Sequence, residues 1–380
     1  MTYPSVDRLQ KLLAGSVFHY AKDAKKAAGR ALGTLVEIIT FYALKSWGLE
    51  RHVAIERPLP EFANAGITHN VEYTIHPSNT LKTLEYRQTD LPITAKKIVR
   101  DSGVGLLNLP LGALKGTVLL TKALILRNSC TIADHGSLFY NAYLDARSQN
   151  KFKCTIAALH HKPFAMVECK RVGVEEGMLK GPQTIEKAKQ GAYVARTVSS
   201  LQKIRFIDGT LGGLIQRKDG TLYHGRFYTL MAEIIAGNDR EMLANFILTI
   251  GIVSNHGNWF TSTNHNKELK VLAQSYDWLL FLSDNGIAQF IDGLLLHPKK
   301  ELCAARDAFL ARYTGQKGVN QFTKVQIALA ADAALQRYFA SQAEVIESWF
   351  NIITPENKPL AVLRNELDTL KNKDWQEIHE

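Results

Sequence analysis

Apolar residues recur at three-and-four spacing through residues 23–47, where Leu32, Leu35, Ile38, Ile39, Tyr42 and Ala43 share a face and Gly48 follows as a stop. That pattern predicts a helix, with Glu37 inside its apolar region. Residues 52–57 and 70–75 read as short strands, whereas 91–123 mix Pro, Gly and Lys with apolar runs and give no assignment. A helix is expected over 129–146. Residues 151–159 (KFKCTIAAL) and 164–172 (FAMVECKRV) are rich in strand formers around a short polar turn, HHKP, which predicts a β-hairpin. The Gly181-Pro182 step then breaks the chain, and Ile185, Ala188, Ala192, Ala195 and Val198 form a small-residue stripe suited to a helix packed on a sheet. Residues 218–221 (KDGT) predict a second hairpin turn. From about Phe227 the chain reads as chiefly helical, most clearly over 231–253, 267–282 and 323–353.

The order predicts an α/β (α+β) chain: a mixed β-sheet core flanked by helices over 1–235, an unassigned insertion around 60–128, and a mainly helical part over 236–380. The boundary near 236 is soft and compatible with one domain, since no repeat or low-complexity linker marks it. With 46% apolar and 22% charged residues over 380 positions, the chain can bury a large core. Lysine and arginine total 46 against 36 acidic residues, a formal charge of +10 that favours polyanionic partners. Cys130, Cys154, Cys169 and Cys303 lack CxxC pairing and are expected to be reduced and mostly buried. The start, MTYPSVDRLQ, has no basic region followed by an apolar run. Residues 106–126 contain Asn108, Pro110, Lys115 and Lys122, too polar for a comfortable membrane span. The expectation is a cytoplasmic protein without a membrane partner.

In the strand over 164–172, period-two geometry puts Phe164, Met166, Glu168, Lys170 and Val172 on one face. An acid and a base closing an otherwise apolar strand are costly unless they pair or bind something. Phosphodiester hydrolysis gives the pair a purpose: a carboxylate can hold Mg²⁺, while the adjacent ammonium orients water or offsets charge building on phosphorus. The tripeptide alone also fits a solvated ion pair on a surface strand. The apolar strand, the short turn, Arg171 directly after Lys170 and the basic helix that follows make the arrangement more specific.

KPFAMVECKR resembles the third-strand motif of the PD-(D/E)xK nucleases, particularly restriction endonucleases, with Glu168 and Lys170 at its acidic and lysine positions. The resemblance extends over about residues 25–205. Glu37, in GRALGTLVEIITFYAL, matches the family's helix-borne glutamate, and QTIEKAKQGAYVAR matches the helix after the catalytic hairpin. It implies a restriction-endonuclease-like mixed sheet flanked by helices, Mg²⁺, double-stranded DNA and a homodimer. The family's usual aspartate on the preceding hairpin strand has no counterpart here, because Cys154 and Thr155 stand there. Asp145 is the nearest preceding acid and the candidate second metal ligand beside Glu168, with Asp134 a poorer one.

Arg171, Lys180, Gln183, Lys187, Arg217 and Lys218 are the candidate DNA contacts, with Lys189, Gln190 and Arg196 nearby; a solvated surface explains them equally well. His160 and His161 are expected to face solvent. The cluster Asn255, His256, Asn258, Asn264, His265 and Asn266 fits no closed zinc pattern, and GTLGG over 209–213 lacks the nucleotide-loop fingerprints. The expected function is a Mg²⁺-dependent type II restriction endonuclease. The alternative is a DNA-binding protein that keeps the fold but has lost an acid at Thr155; a basic helical interaction protein is a third reading.

Overall fold

A computed structural model of the protein describes residues 6–19, 23–103, 105, 109–148, 151–171, 182–254, 267–313 and 320–379. Two helices, α1 (Val6–Ser16) and α2 (Ala24–Ser46), come first. The Asp23 carboxylate caps α2 by accepting the Lys26 N–H at 2.9 Å, and Gly48 (φ 74°) lies just beyond its end. Leu32, Leu35, Ile38, Ile39 and Tyr42 are buried, as the periodicity predicts. By length and apolarity alone α2 could cross a membrane, but 67% of its apolar window is buried inside the fold.

The hairpin β1 (Val53–Glu61) and β2 (Asn64–Ile75) follows, and the chain then leaves it for a second sheet. That sheet has the order β3-β9-β8-β7, from β3 (Ser78–Arg87), β7 (Cys130–His135), β8 (Leu138–Ser148) and β9 (Lys151–His160). Between β3 and β7 run β4 (Ile93–Thr94), α3 (Ala95–Ser102), β5 (Val118–Leu120) and β6 (Ile125–Arg127), so the described residues of 91–123 include short strands and a helix that the sequence pattern does not assign. The expected helix over 129–146 is instead the β7–β8 hairpin, turned at Gly136 (φ 64°). Phe139, Tyr140 and Tyr143 there are strand formers, and pairing on both sides of β8 outweighs a weak helical spacing.

After β9 the turn at 160–163 carries the chain back to the first sheet as β10 (Ala165–Arg171). The expected strands therefore exist, but they do not form a hairpin. Strand β9 pairs with β8 and β3, whereas β10 pairs antiparallel with β2 and parallel with β14 (Leu248–Ser254). Helix α4 (Pro182–Thr197) starts at the expected proline. A three-stranded sheet follows from β11 (Gln202–Arg205), β12 (Leu211–Gln216) and β13 (Leu222–Arg226), with the predicted turn at Gly220 (φ 85°).

Helices α5 (Phe227–Ala236) and α6 (Arg240–Leu243) lead into β14, and α7 (Lys267–Ser275) leads into β15 (Trp278–Leu282). Then come α8 (Asp284–Ile291), α9 (Cys303–Tyr313), β16 (Gln326–Ala328), α10 (Leu329–Ser341), α11 (Ala343–Glu347), β17 (Phe350–Thr354), α12 (Leu360–Lys371) and α13 (Trp375–His379). The three long helices expected over 231–253, 267–282 and 323–353 each contain a strand. Strands β14 and β15 are buried at every position, so no alternation distinguishes them from buried helix.

The principal sheet runs β1-β2-β10-β14-β15-β17, so residues beyond 236 supply half its strands. Both faces are covered. Val167, Cys169, Ile250 and Ile252 pack in one apolar cluster with α2, while Met166, Leu279 and Phe281 pack in another with Ala192 and Ala195 of α4, Val198 just after it, and Leu269 and Leu272 of α7. The stripe of small residues thus brings α4 onto the sheet as its sequence predicts. Cys130, Cys154 and Cys169 are buried and Cys303 is exposed, all four as free thiols.

Candidate active site

Strands β2 and β10 run antiparallel with Val167 opposite Tyr73, which puts Glu168 next to Glu72. The Glu168 Oε2 accepts the main-chain N–H of Glu72 at 3.0 Å. Lys170 lies on the same side as Glu168, as period-two geometry requires, and its Nζ stands 2.7 Å from Glu168 Oε1 and 3.3 Å from Glu72 Oε1. One ammonium therefore bridges two carboxylates from neighbouring strands.

Glu37 joins this group from α2 and Glu56 joins it from β1, both through Lys324 in the segment before β16. The Lys324 Nζ contacts Glu72 Oε2, stands 3.0 Å from Glu56 Oε1 and 3.7 Å from Glu37 Oε2. Glu56 has φ 53°, a left-handed conformation uncommon for a residue with a side chain and most often kept where the surroundings enforce it. Tyr73 donates its hydroxyl to the Glu37 carbonyl at 2.8 Å, tying α2 to the strand that carries Glu72.

Glu168, Lys324 and Glu72 sit largely out of water, while Glu56 lies at the exposed rim of the cluster. Glu168 is 6% exposed, and burial raises its carboxyl pKa while Lys170 opposes the shift. Burial raises Glu37 likewise, with Lys324 opposing. Buried charges of this kind are weak contributors to stability, so their convergence points to chemistry more than to folding.

Close approach of α4 depends on two glycines. Glu168 lies opposite Gly251 on β14, and a Cβ there would stand 2.7 Å from the Tyr276 ring. A Cβ on Gly191 would stand 2.6 Å from the Tyr276 hydroxyl oxygen and 2.9 Å from Glu168 Cγ. Tyr276, 2% exposed, fills this space and walls one side of Glu168.

The structure therefore brings together Glu37, Glu168 and Lys170 from the expected set and adds Glu72, Glu56 and Lys324. Asp145 is a correction: it lies on β8 in the other sheet, where it pairs with Arg51 at 3.0 Å and accepts the Thr155 hydroxyl. Thr155 is on β9 and faces Thr83 and Tyr143 across the strand pairs, so it does not occupy the acid position beside Glu168. Asp134 pairs with Arg57 at 3.2 Å and with His161 at 3.0 Å. His161 is exposed, and His160 is half-buried.

Of the expected DNA contacts, Arg217 pairs with Asp239 at 3.0 Å and sits over the Tyr223 ring, and the Lys218 main-chain N–H donates to Glu241. Arg171 ends β10 and Gln183 and Lys187 belong to α4, but their side chains lie outside the described residues, as does Lys180 entirely. The Asn255 to Asn266 cluster also lies outside them.

Among the described residues no group of three or more His, Cys, Asp or Glu side chains stands in a metal-binding arrangement. Lysine ammoniums stand between the carboxylates instead. The donor set is nonetheless all carboxylate oxygen, the type that suits a hard divalent cation. Compared with protein-family models, curated proteins and solved structures, the chain matches none.

Proposed function

We propose that the protein is a Mg²⁺-dependent endodeoxyribonuclease that hydrolyses phosphodiester bonds of double-stranded DNA, of the PD-(D/E)xK class and of type II restriction character. The observation that carries the reading is Lys170 bridging Glu72 and Glu168 on adjacent antiparallel strands. In this reading Glu72 is the second acid of the site.

In this reading Glu72 and Glu168 would hold Mg²⁺, with Glu37 in support, and the ion would supply Lewis-acid polarisation of the phosphate and a lowered pKa for water. Lys170 orients the attacking water and offsets charge growing on the phosphoryl oxygens, which its reach to both carboxylates suits. Tyr276 and α4 keep bulk water from one side of Glu168. Parallel strands β10 and β14 end beside the site, an edge where open α/β sheets commonly receive ligands. The charge of +10 favours DNA, with Arg171, Lys180, Gln183, Lys187, Arg217 and Lys218 as proposed contacts. A cytoplasmic homodimer would address both strands.

The alternative of a binding module without cleavage rested on Thr155 replacing an acid, and Thr155 lies in the other sheet. The test is conversion of supercoiled plasmid to nicked or linear DNA in Mg²⁺. Wild type should cut and Glu168→Ala should not, with both folded by circular dichroism. Undiminished cutting by Glu168→Ala would end the proposal.

A further inference from the structure

Every carboxylate oxygen of Glu72 and Glu168 already has a protein partner. Lys170 takes one oxygen of each, the Glu72 N–H takes the other oxygen of Glu168, and Lys324 takes the other oxygen of Glu72. Each oxygen keeps a second lone pair, so a cation bound between these acids competes with these donors for charge and space and need not displace them all. The main-chain donor is fixed by the β2–β10 pairing, and Lys170 holds both acids at once. Lys324 is the remaining choice.

Its surroundings single it out. The ammonium stands among oxygens of Glu72, Glu56 and Glu37, carboxylates brought from three separate elements. The residue is only 5% exposed. Its main chain is pinned: the Lys324 carbonyl accepts the Asn128 side-chain amide at 2.9 Å, and the Val325 carbonyl accepts the Asn128 N–H at 2.9 Å. Only the flexible four-carbon stem can withdraw. Without Lys324 the three acids would keep only Lys170, on Glu72, as a close counter-charge, and an ammonium and a divalent ion cannot both occupy the place where their oxygens meet.

We infer that Lys324 is a resident counter-cation: it holds the place of the metal in the metal-free protein, and a divalent cation loads by displacing it. The inference rests on the proposed reading of Glu72 and Glu168 as metal ligands. It makes cation loading a competition set by one side chain outside the strands that carry the acids.

The test is Mn²⁺ binding to the full chain by titration calorimetry, with melting temperatures measured with and without Mn²⁺. Lys324→Met should bind Mn²⁺ at least tenfold more tightly than wild type, melt lower without the ion, and gain more from it. Lys324→Gln serves the same comparison should the methionine variant not fold. The gain should vanish in the double variant with Glu72→Gln. If wild type binds Mn²⁺ and the Lys324 variants bind it no more tightly, or if the gain survives Glu72→Gln, the counter-cation role is overturned while the metal site stands. If neither wild type nor the variants bind Mn²⁺, the metal reading fails and takes this inference with it.

Discussion

Glu168 Oε2 accepts the main-chain N–H of Glu72 at 3.0 Å although 96 positions separate the two residues. The whole second sheet is inserted between the strands that carry them. The acid partner of Glu168 is therefore set by the β2–β10 pairing and not by proximity along the chain. Glu72→Gln should lower DNA cleavage by about 10²-fold or more, since it removes a charged oxygen from the proposed site while keeping the N–H. Thr155→Asp and Asp145→Asn should leave cleavage within a fewfold of wild type in the same plasmid assay. Loss of cutting in Asp145→Asn with Glu72→Gln still active would reverse the assignment.

Gly191 sets how closely α4 approaches the site. Adding a methyl forces it against the Tyr276 hydroxyl oxygen at 2.6 Å and Glu168 Cγ at 2.9 Å, and overpacking of this kind costs about 1–3 kcal/mol. Gly191→Ala should lower the melting temperature. Adding Tyr276→Phe should return part of the loss, because the nearest atom is then gone. Additive losses in the double variant would show that the helix moves away as a body instead.

How much of this was legible beforehand depended on where each signal lies. Helix α2 carries its own cap, stripe and stop, so Asp23, the buried leucines and Gly48 are readable in place. Glu168 and Lys170 are likewise local, two positions apart on a strand. Glu72 is equally local in kind, an acid between Val71 and Tyr73 in a segment read as a strand. What made it important is pairing across residues 76–164, and no local pattern reports that. The turn at 160–163 looked like a hairpin because flanking strands and short polar turns usually are one. Here it joins two sheets. Lys324 had no signal at all, because its environment comes from acids on three distant elements. Strands β14 and β15 are hidden in the sequence for a different reason: burial on both faces erases the alternation that marks a strand.

Asp332 ties α10 to α2. It accepts the Tyr42 hydroxyl at 2.6 Å and pairs with Lys45 at 3.1 Å, with both charged side chains nearly enclosed. Burial and the carboxylate together push the Tyr42 phenol well above its ordinary value. Asp332→Asn should cost about 3 kcal/mol, because it leaves the buried Lys45 with only the Glu50 carboxylate at 2.7 Å. Urea unfolding measures this. An unchanged midpoint and slope would mean that Glu50 alone compensates Lys45.

Glu366 on α12 gives the fold a pH dependence of its own. Burial raises its carboxyl from the ordinary value of 4.5 to about 7; the Trp278 indole N–H, donating at 2.7 Å, opposes the shift, and Asp277 adds to it. In the unfolded chain the proton leaves near the ordinary value, so between the two values the folded protein binds more protons than the unfolded one. Stability from this residue is therefore greatest below about pH 4.5 and falls as pH rises through about 7. The side chain is partly exposed, and solvent screening holds the effect to about 2 kcal/mol. Glu366→Gln removes the ionisation while keeping an oxygen for Trp278. Urea unfolding at pH 5 and at pH 7.5 should show the variant gaining on wild type at the higher pH by that amount. Stability curves that stay parallel across the window would mean that Glu366 ionises as readily in the folded protein as in the unfolded chain.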